Sequence, residues 1–273
     1  LDNVQALVLD EADQMFDMGF IPTVRRIIER LPENRQNLMF SATMPRDIRS
    51  LANDILHEPV NIEVANTAPV ATVTHALYPI SQGRKQELLL KLLEHTDTES
   101  VLVFVKMKHT AKRLAEILED KGLRATCLQG NLSQGRRLSA MRGFKSGEYQ
   151  IMVATDIAAR GIDISSISHV INFDTPDTAE TYTHRIGRTG RAAKTGDAFT
   201  LVTPQDRGVI RDIERIMGVE IERKHLEGFE YGADHQTLDA NSMRNSRGPR
   251  SGGGNRSRGG SPRHSSGGGR SGG

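Results

Sequence analysis

Residues 101–128 read VLVFVKMKHTAKRLAEILEDKGLRATCL, and the reading of this stretch decides the fold. The run 101–105 is continuously apolar, with three β-branched valines, as befits a strand buried on both faces. Residues 108–121 carry apolar positions at helical spacing and stop at Gly122, a residue suited to a helix C-terminus. A second apolar run follows at 124–128. Strand, helix and strand in about 28 residues is a crossover unit, which makes the two strands parallel.

The same alternation extends outward. Toward the C-terminus it predicts a helix at 133–146, strands at 151–154 and 169–173, a helix at 178–185, a strand at 197–202 and a helix at 205–217. Toward the N-terminus it predicts a helix at 84–95 and a strand near 75–80. Residues 65–74 (ANTAPVATVT) are weakly patterned and read as a linker. Before them come strands at 4–9 and 37–40 and helices at 21–31 and 45–56. Functional residues are expected at the carboxyl ends of the parallel strands, where such sheets form their crevice.

Composition narrows the function classes. Of 273 residues, 37% are hydrophobic, none is Trp and one is Cys, Cys127, which excludes a disulfide framework or a thiolate metal cluster. The absence of a long apolar run sets the expectation of a soluble, cytoplasmic protein without membrane contact. The formal charge of +2 conceals a division: seven arginines and no acid follow Asp239, so residues 1–239 carry 29 basic against 34 acidic side chains. From Asn241 the composition falls to Gly, Ser and Arg, which cannot offset its ordering entropy and is expected to be disordered.

Four motifs carry chemistry. ALVLDEAD at 6–13 ends an apolar run in Asp10, Glu11 and Asp13, a density of negative charge that calls for a cation. SAT at 41–43 places two small hydroxyls after the next strand. ATDIAARGID spans 154–163. HRIGRTGR at 184–191 sets three arginines and a histidine in eight residues, an arrangement that calls for an anion such as phosphate.

Together, in this order and spacing, these motifs resemble the DEAD-box ATP-dependent RNA helicases over about residues 1–220, and DEADQMFDMGF resembles the bacterial RhlE-type subgroup. The resemblance implies tandem RecA-like α/β domains with parallel sheets: the C-terminal part of a first domain at 1–65, a linker at 66–74, a complete second domain at 75–225 and a tail at 226–273. It implies ATP and Mg2+ as cofactors. Asp10 would hold the metal and Glu11 would orient the hydrolytic water, while Asp13, Ser41, Thr43 and His184 would couple the motifs. Arg188 and Arg191 would reach the γ-phosphate and Asp163 the ribose. Gly130, Gln134, Arg137, Thr155, Asp156, Arg160 and Gly161 would contact the RNA backbone without reading its sequence.

A phosphate loop of the form G-x-x-x-x-G-K-[ST] has no match in residues 1–273. The expectation is therefore a C-terminal piece of a helicase, inactive alone as an ATPase, with a monomeric state and ribosome-assembly or RNA-degradation factors as candidate partners. The competing expectation is an RNA-binding or annealing module. The tail has two readings: a solubilising linker, or a salt-sensitive tether for RNA.

Overall fold

A computed structural model describes residues 1–63, 73–96, 99–159, 167–190 and 196–232. The chain divides into two compact units, Leu1–Asn66 and Thr67–Gly273.

The first unit is built on β1 (Ala6–Leu9) and β2 (Gln36–Met39), which pair in parallel with Leu9 opposite Met39. Around them lie α1 (Ala12–Asp17), α2 (Ile21–Ile28) and α3 (Arg46–Ile55). Leu9, Leu51 and Ile55 form its buried centre, with Met15, Val24, Ile28 and Met39 packed around them. Helix α2 ends at Ile28, three residues before the expected stop, where the Arg30 and Leu31 amides turn back only three residues, to the Ile27 and Ile28 carbonyls, ahead of Pro32. Helix α1 is absent from the sequence reading: six residues, ADQMFD, are too few to present an apolar periodicity.

The second unit runs β3 (Val73–Pro79), α4 (Lys85–His95), β4 (Val101–Phe104), α5 (Lys108–Asp120), β5 (Ala125–Leu128), α6 (Gln134–Ser146), β6 (Ile151–Ala154), α7 (Asp156–Ala159), β7 (His169–Asn172), α8 (Ala179–Ile186), β8 (Gly196–Val202), α9 (Arg207–Met217) and β9 (Glu222–Arg223). The seven strands form one sheet in the order β5-β6-β4-β7-β8-β3-β9, and every pairing is parallel. Alternate strand residues serve opposite faces. Leu102, Phe104, Met152 and Val170 pack with Phe144, Tyr182, Ile186, Ile210 and Ile213 from α6, α8 and α9. Val101, Val103, Val153 and Ile171 pack on the other face with Leu88, Leu89, Leu92, Leu114 and Leu118 from α4 and α5. Burial on both sides is why these strands read as continuous apolar runs.

Two boundaries shift. Strand β3 begins at Val73, so Val73 and Thr74 belong to the sheet and not to the linker. The second unit also continues past residue 225: β9 pairs with β3, the Tyr231 side chain is buried, and Leu226 and Phe229 pack beside it. The Tyr231 carbonyl accepts from the Ser81 amide at 3.1 Å. Two aromatics within three residues supply the apolar area that holds this short segment. The Gly/Ser/Arg-rich stretch, from residue 233 on, lies outside the described residues. Among the described residues, no helix is long and apolar enough to cross a membrane.

Candidate functional site

The carboxylates after β1 divide into two kinds. Asp13 turns inward. Its Oδ2 accepts from the Thr43 amide at 2.9 Å and the Thr43 hydroxyl at 3.1 Å, and its Oδ1 accepts from the Gln14 amide at 3.0 Å. The Asp13 amide in turn donates to Ser41 Oγ at 3.2 Å, and the Ser41 hydroxyl donates to the Thr43 carbonyl at 2.7 Å. Burial alone would raise the Asp13 pKa. Hydrogen bonds from the Thr43 and Gln14 amides and the Thr43 and Ser41 hydroxyls outweigh it and hold the group below its ordinary value. The ALVLDEAD and SAT motifs thus form one hydrogen-bonded unit at the carboxyl ends of β1 and β2.

Asp10 is exposed, and its Oδ1 accepts from the Glu11 amide at 2.9 Å. Glu11 adopts φ 52°, ψ 48°, the left-handed region, and occupies the N-cap position of α1 without a side-chain capping bond. A non-glycine residue in this conformation carries strain, and such strain concentrates at functional sites. The conformation has a local cause. The Ala12 amide is tied to the Phe40 carbonyl at 3.1 Å and Asp13 is tied to Thr43, so the chain must turn sharply between Asp10 and Ala12.

In the second unit, the carboxyl ends of β5 and β6 bring together the residues matched to RNA contact. Gly130 lies exposed just beyond β5. Ser133 caps α6, its Oγ accepting from the Arg136 amide at 3.4 Å, which leaves Gln134 in the first turn beside further amide donors. Arg137 reaches the Ala158 carbonyl at 3.3 Å, joining α6 to α7, and Thr155 sits buried between β6 and α7. From α5, Lys108 donates to Asn131 at 3.2 Å.

Asp156 is already engaged. Arg185 from α8 meets it with Nε on Oδ1 at 2.6 Å and Nη2 on Oδ2 at 2.7 Å. The same guanidinium donates to Asn172 Oδ1 at 3.1 Å and the Asp174 carbonyl at 2.7 Å, and stands 5.0 Å from the centre of the Phe104 ring. Arg185 is 2% exposed. It ties ATDIAARGID to HRIGRTGR, and the sequence reading assigned it no role. The signal was present, since one of three clustered arginines must find an acid if it is buried.

A second buried cation stands nearby. Lys85 donates to the Phe173 carbonyl at 2.9 Å, with Asp174 Oδ1 at 3.9 Å. Burial lowers its pKa, the Asp174 and Asp206 carboxylates oppose this, and Lys106 adds to it.

His184 and Arg188 lie half-buried at the end of α8, with the Arg188 amide on the Arg185 carbonyl at 3.1 Å. Arg160, Gly161, Asp163 and Arg191 lie outside the described residues.

Sequence comparison sets this geometry among known proteins. The DEAD/DEAH box helicase pattern matches residues 1–51, and the helicase conserved C-terminal domain matches residues 84–193. The crystal structure of the E. coli DEAD-box protein SrmB, bound to regulator of ribonuclease activity A, is matched over 59% of this chain and 96% of that one, at 33% identity and a TM-score of 0.54.

The chain belongs to the DEAD-box RNA helicase family.

Its fold is the parallel-sheet α/β RecA-like fold of that family. Dbp5 of S. cerevisiae, in a structure with RNA and ADP BeF3, is 30% identical with a TM-score of 0.74, covering 82% of this chain and 60% of that one. The DEAD-box ATP-dependent RNA helicase CshA of Geobacillus kaustophilus is 45% identical over 224 residues, 82% of this chain and 48% of the relative. The chain spans about half the length of the curated relatives it matches.

Proposed function

We propose that this chain is part of an ATP-dependent RNA helicase, in which ATP hydrolysis drives local unwinding or remodelling of RNA. The observation that carries this reading is the division of the DEAD carboxylates. With Asp13 bound to Thr43 and Gln14, Asp10 and Glu11 are the two acids left facing outward at a strand end. Two carboxylates at a strand end suit Mg2+, which is commonly held by one or two carboxylates with water and phosphate oxygens completing its shell. ATP·Mg2+, when bound, supplies the phosphoryl group transferred to water and the charge that draws the two acids toward it.

The chain's residues then act as follows. Asp10 would hold the metal, and Glu11, set by its left-handed backbone, would orient the attacking water and accept its proton. Arg188 and Arg191 stabilise negative charge at the γ-phosphate, a role worth about 10³–10⁵ in rate in comparable hydrolases. Asp163 meets the ribose. The Asp13–Ser41–Thr43 unit, with His184, relays the nucleotide state. Gly130, Gln134, Arg137, Thr155, Arg160 and Gly161 meet RNA phosphates and 2′-hydroxyls, while Asp156 at the start of α7 is held by Arg185.

The proposal extends to a cytoplasmic, monomeric enzyme of the RhlE-type subgroup, on the strength of DEADQMFDMGF, with ribosome-assembly or RNA-degradation factors as partners. The 273-residue chain alone is proposed to bind RNA without turning over ATP, since no phosphate-loop pattern occurs in it. The test is Glu11→Gln in the full-length protein. RNA-stimulated ATP hydrolysis should be abolished while ATP and RNA binding persist, and unchanged turnover would reject the assignment. RNA binding by the 273-residue chain with no ATPase in the full-length protein either would favour the annealing module.

A further inference from the structure

The segment after α8 is fastened to the sheet at Thr189. Thr189 is 2% exposed, and its Oγ1 donates to the Ile167 carbonyl at 2.5 Å, with the Ser168 carbonyl at 3.1 Å. Its backbone forms an isolated parallel bridge with Ile167, and its amide donates to the Ile186 carbonyl at 3.1 Å. The hydroxyl therefore sits at the entry to β7, one residue beyond Arg188.

The space beside it is closed by Gly196, the first residue of β8. A Cβ at position 196 would stand 2.0 Å from Thr189 Oγ1, 2.8 Å from Thr189 Cβ and 2.5 Å from the Gly190 amide nitrogen. No side chain of any size fits there without displacing Thr189 and the backbone that follows it. Gly190 itself has φ 69°, so the turn after Thr189 is already confined to a region that other residues rarely adopt. The threonine hydroxyl and the missing side chain of the glycine are thus two halves of one fastening.

We propose that Thr189 is a positioning residue for ATP hydrolysis: its hydroxyl, seated against Gly196, fixes the height and direction at which Arg188 leaves the end of α8. The inference rests on the reading of Arg188 as the residue that meets the γ-phosphate. The physical reason is that a guanidinium at the end of a long flexible side chain stabilises a developing charge only when its own backbone is held, because displacement by about 1 Å can cost a hundredfold in rate. Helix α8 ends at Ile186 with Gly187 as its C-cap, and past that point the Arg188 amide returns to the Arg185 carbonyl at 3.1 Å. The buried Thr189 hydroxyl is the side-chain tie that follows.

Three variants test this: Thr189→Val, which keeps the shape and removes the hydroxyl; Thr189→Ser, which restores it; and Gly196→Ala, which crowds it from the other side. The first measurement uses the 273-residue chain and needs no nucleotide. Limited trypsin digestion should cleave after Arg188 about tenfold faster in Thr189→Val than in the parent, the effect expected from losing one buried hydrogen bond, and Thr189→Ser should return to the parental rate. The second uses the full-length protein. Thr189→Val and Gly196→Ala should lower kcat for RNA-stimulated ATP hydrolysis by about 10- to 100-fold with RNA affinity within about twofold of the parent, and Thr189→Ser should recover kcat. Parental cleavage and parental kcat in Thr189→Val would overturn the proposal. So would equal losses of kcat and RNA affinity, which would mark general loosening of the domain. Arg188→Ala is the control: if it leaves kcat unchanged, the γ-phosphate role fails and takes the catalytic part of the proposal with it, whereas the digestion result judges the fastening separately.

Discussion

Replacing Arg185 with alanine offers the sharpest stability test. The guanidinium makes four hydrogen bonds, two to Asp156, one to Asn172 and one to the Asp174 carbonyl, while itself nearly inaccessible to water. Its removal leaves the Asp156 carboxylate and the buried Asn172 oxygen without their donor. Breaking a buried ion pair from one side costs about 3–5 kcal/mol. The Asp156 side chain is 35% exposed and regains part of its hydration, which places Arg185→Ala at the lower end, about 3 kcal/mol. Arg185→Lys retains the charge but cannot span both carboxylate oxygens and reach Asn172 together, so it should fall between the two. Hydrogen exchange followed by mass spectrometry reads this directly, because amides of the central strands exchange only through the largest openings. Peptides covering β4, β6 and β7 should exchange about a hundredfold faster in Arg185→Ala, the factor that corresponds to the expected free-energy loss. Parental protection in those three strands would show that Arg185 is dispensable to the junction between ATDIAARGID and HRIGRTGR, and the assignment of Asp156 to a structural role would fall with it.

Other expectations follow from the same geometry. The pKa of Asp13 is lowered in the folded chain, so its contribution to stability is present above the unfolded value of 3.8 and is lost as pH falls through the folded value; acid titration of Asp13→Asn should lack that component. An identical acid profile in the two proteins would contradict it. The Lys85 pKa is also lowered, below 10.5, chiefly by burial, so the folded chain binds protons less readily there. Relative to Lys85→Met, the parent should gain stability as pH rises through the window between its lowered folded value and 10.5, and a constant difference by urea titration would refute the shift. Deleting residues 241–273 removes seven arginines and no acid, and should weaken RNA binding mainly at low salt; equal affinity across a salt series would leave the tail a linker.

Much of the second unit could be read from its strands because burial on both faces writes a continuous apolar run, as in VLVFV, and crossover helices announce themselves by their spacing. Elements that depend on tertiary partners were not legible. Helix α1 needs Phe40 and Thr43 to hold its first turn, and β9 is two residues long and exists through its pairing with Ala76 and Leu77. The motifs gave the identities of the site residues but not their division of labour. That Asp156 is engaged by Arg185, that Thr189 faces inward, and that Gly196 is empty by necessity are facts about distances between β6, β7, β8 and α8. No local pattern encodes them.

The DEAD carboxylates illustrate why one short motif can serve two purposes. Three acids in four residues would repel one another if all faced the same way, and a single cation could not balance them. The fold turns the chain through a left-handed residue at Glu11, leaving Asp10 exposed while Asp13 is buried against Thr43. There its charge is met by the amide and hydroxyl of Thr43 and the amide of Gln14, partial positive charges that never leave. Asp10 stays exposed, with its Oδ1 on the Glu11 amide at 2.9 Å. The strain at Glu11 is thus tied to the separation itself: a residue that relaxed to ordinary helical φ and ψ would swing either the Asp13 carboxylate off Thr43 or Asp10 off the strand end. A change at Ser41 or Thr43 should therefore be felt at Asp10 and Glu11, although neither hydroxyl is hydrogen-bonded to them.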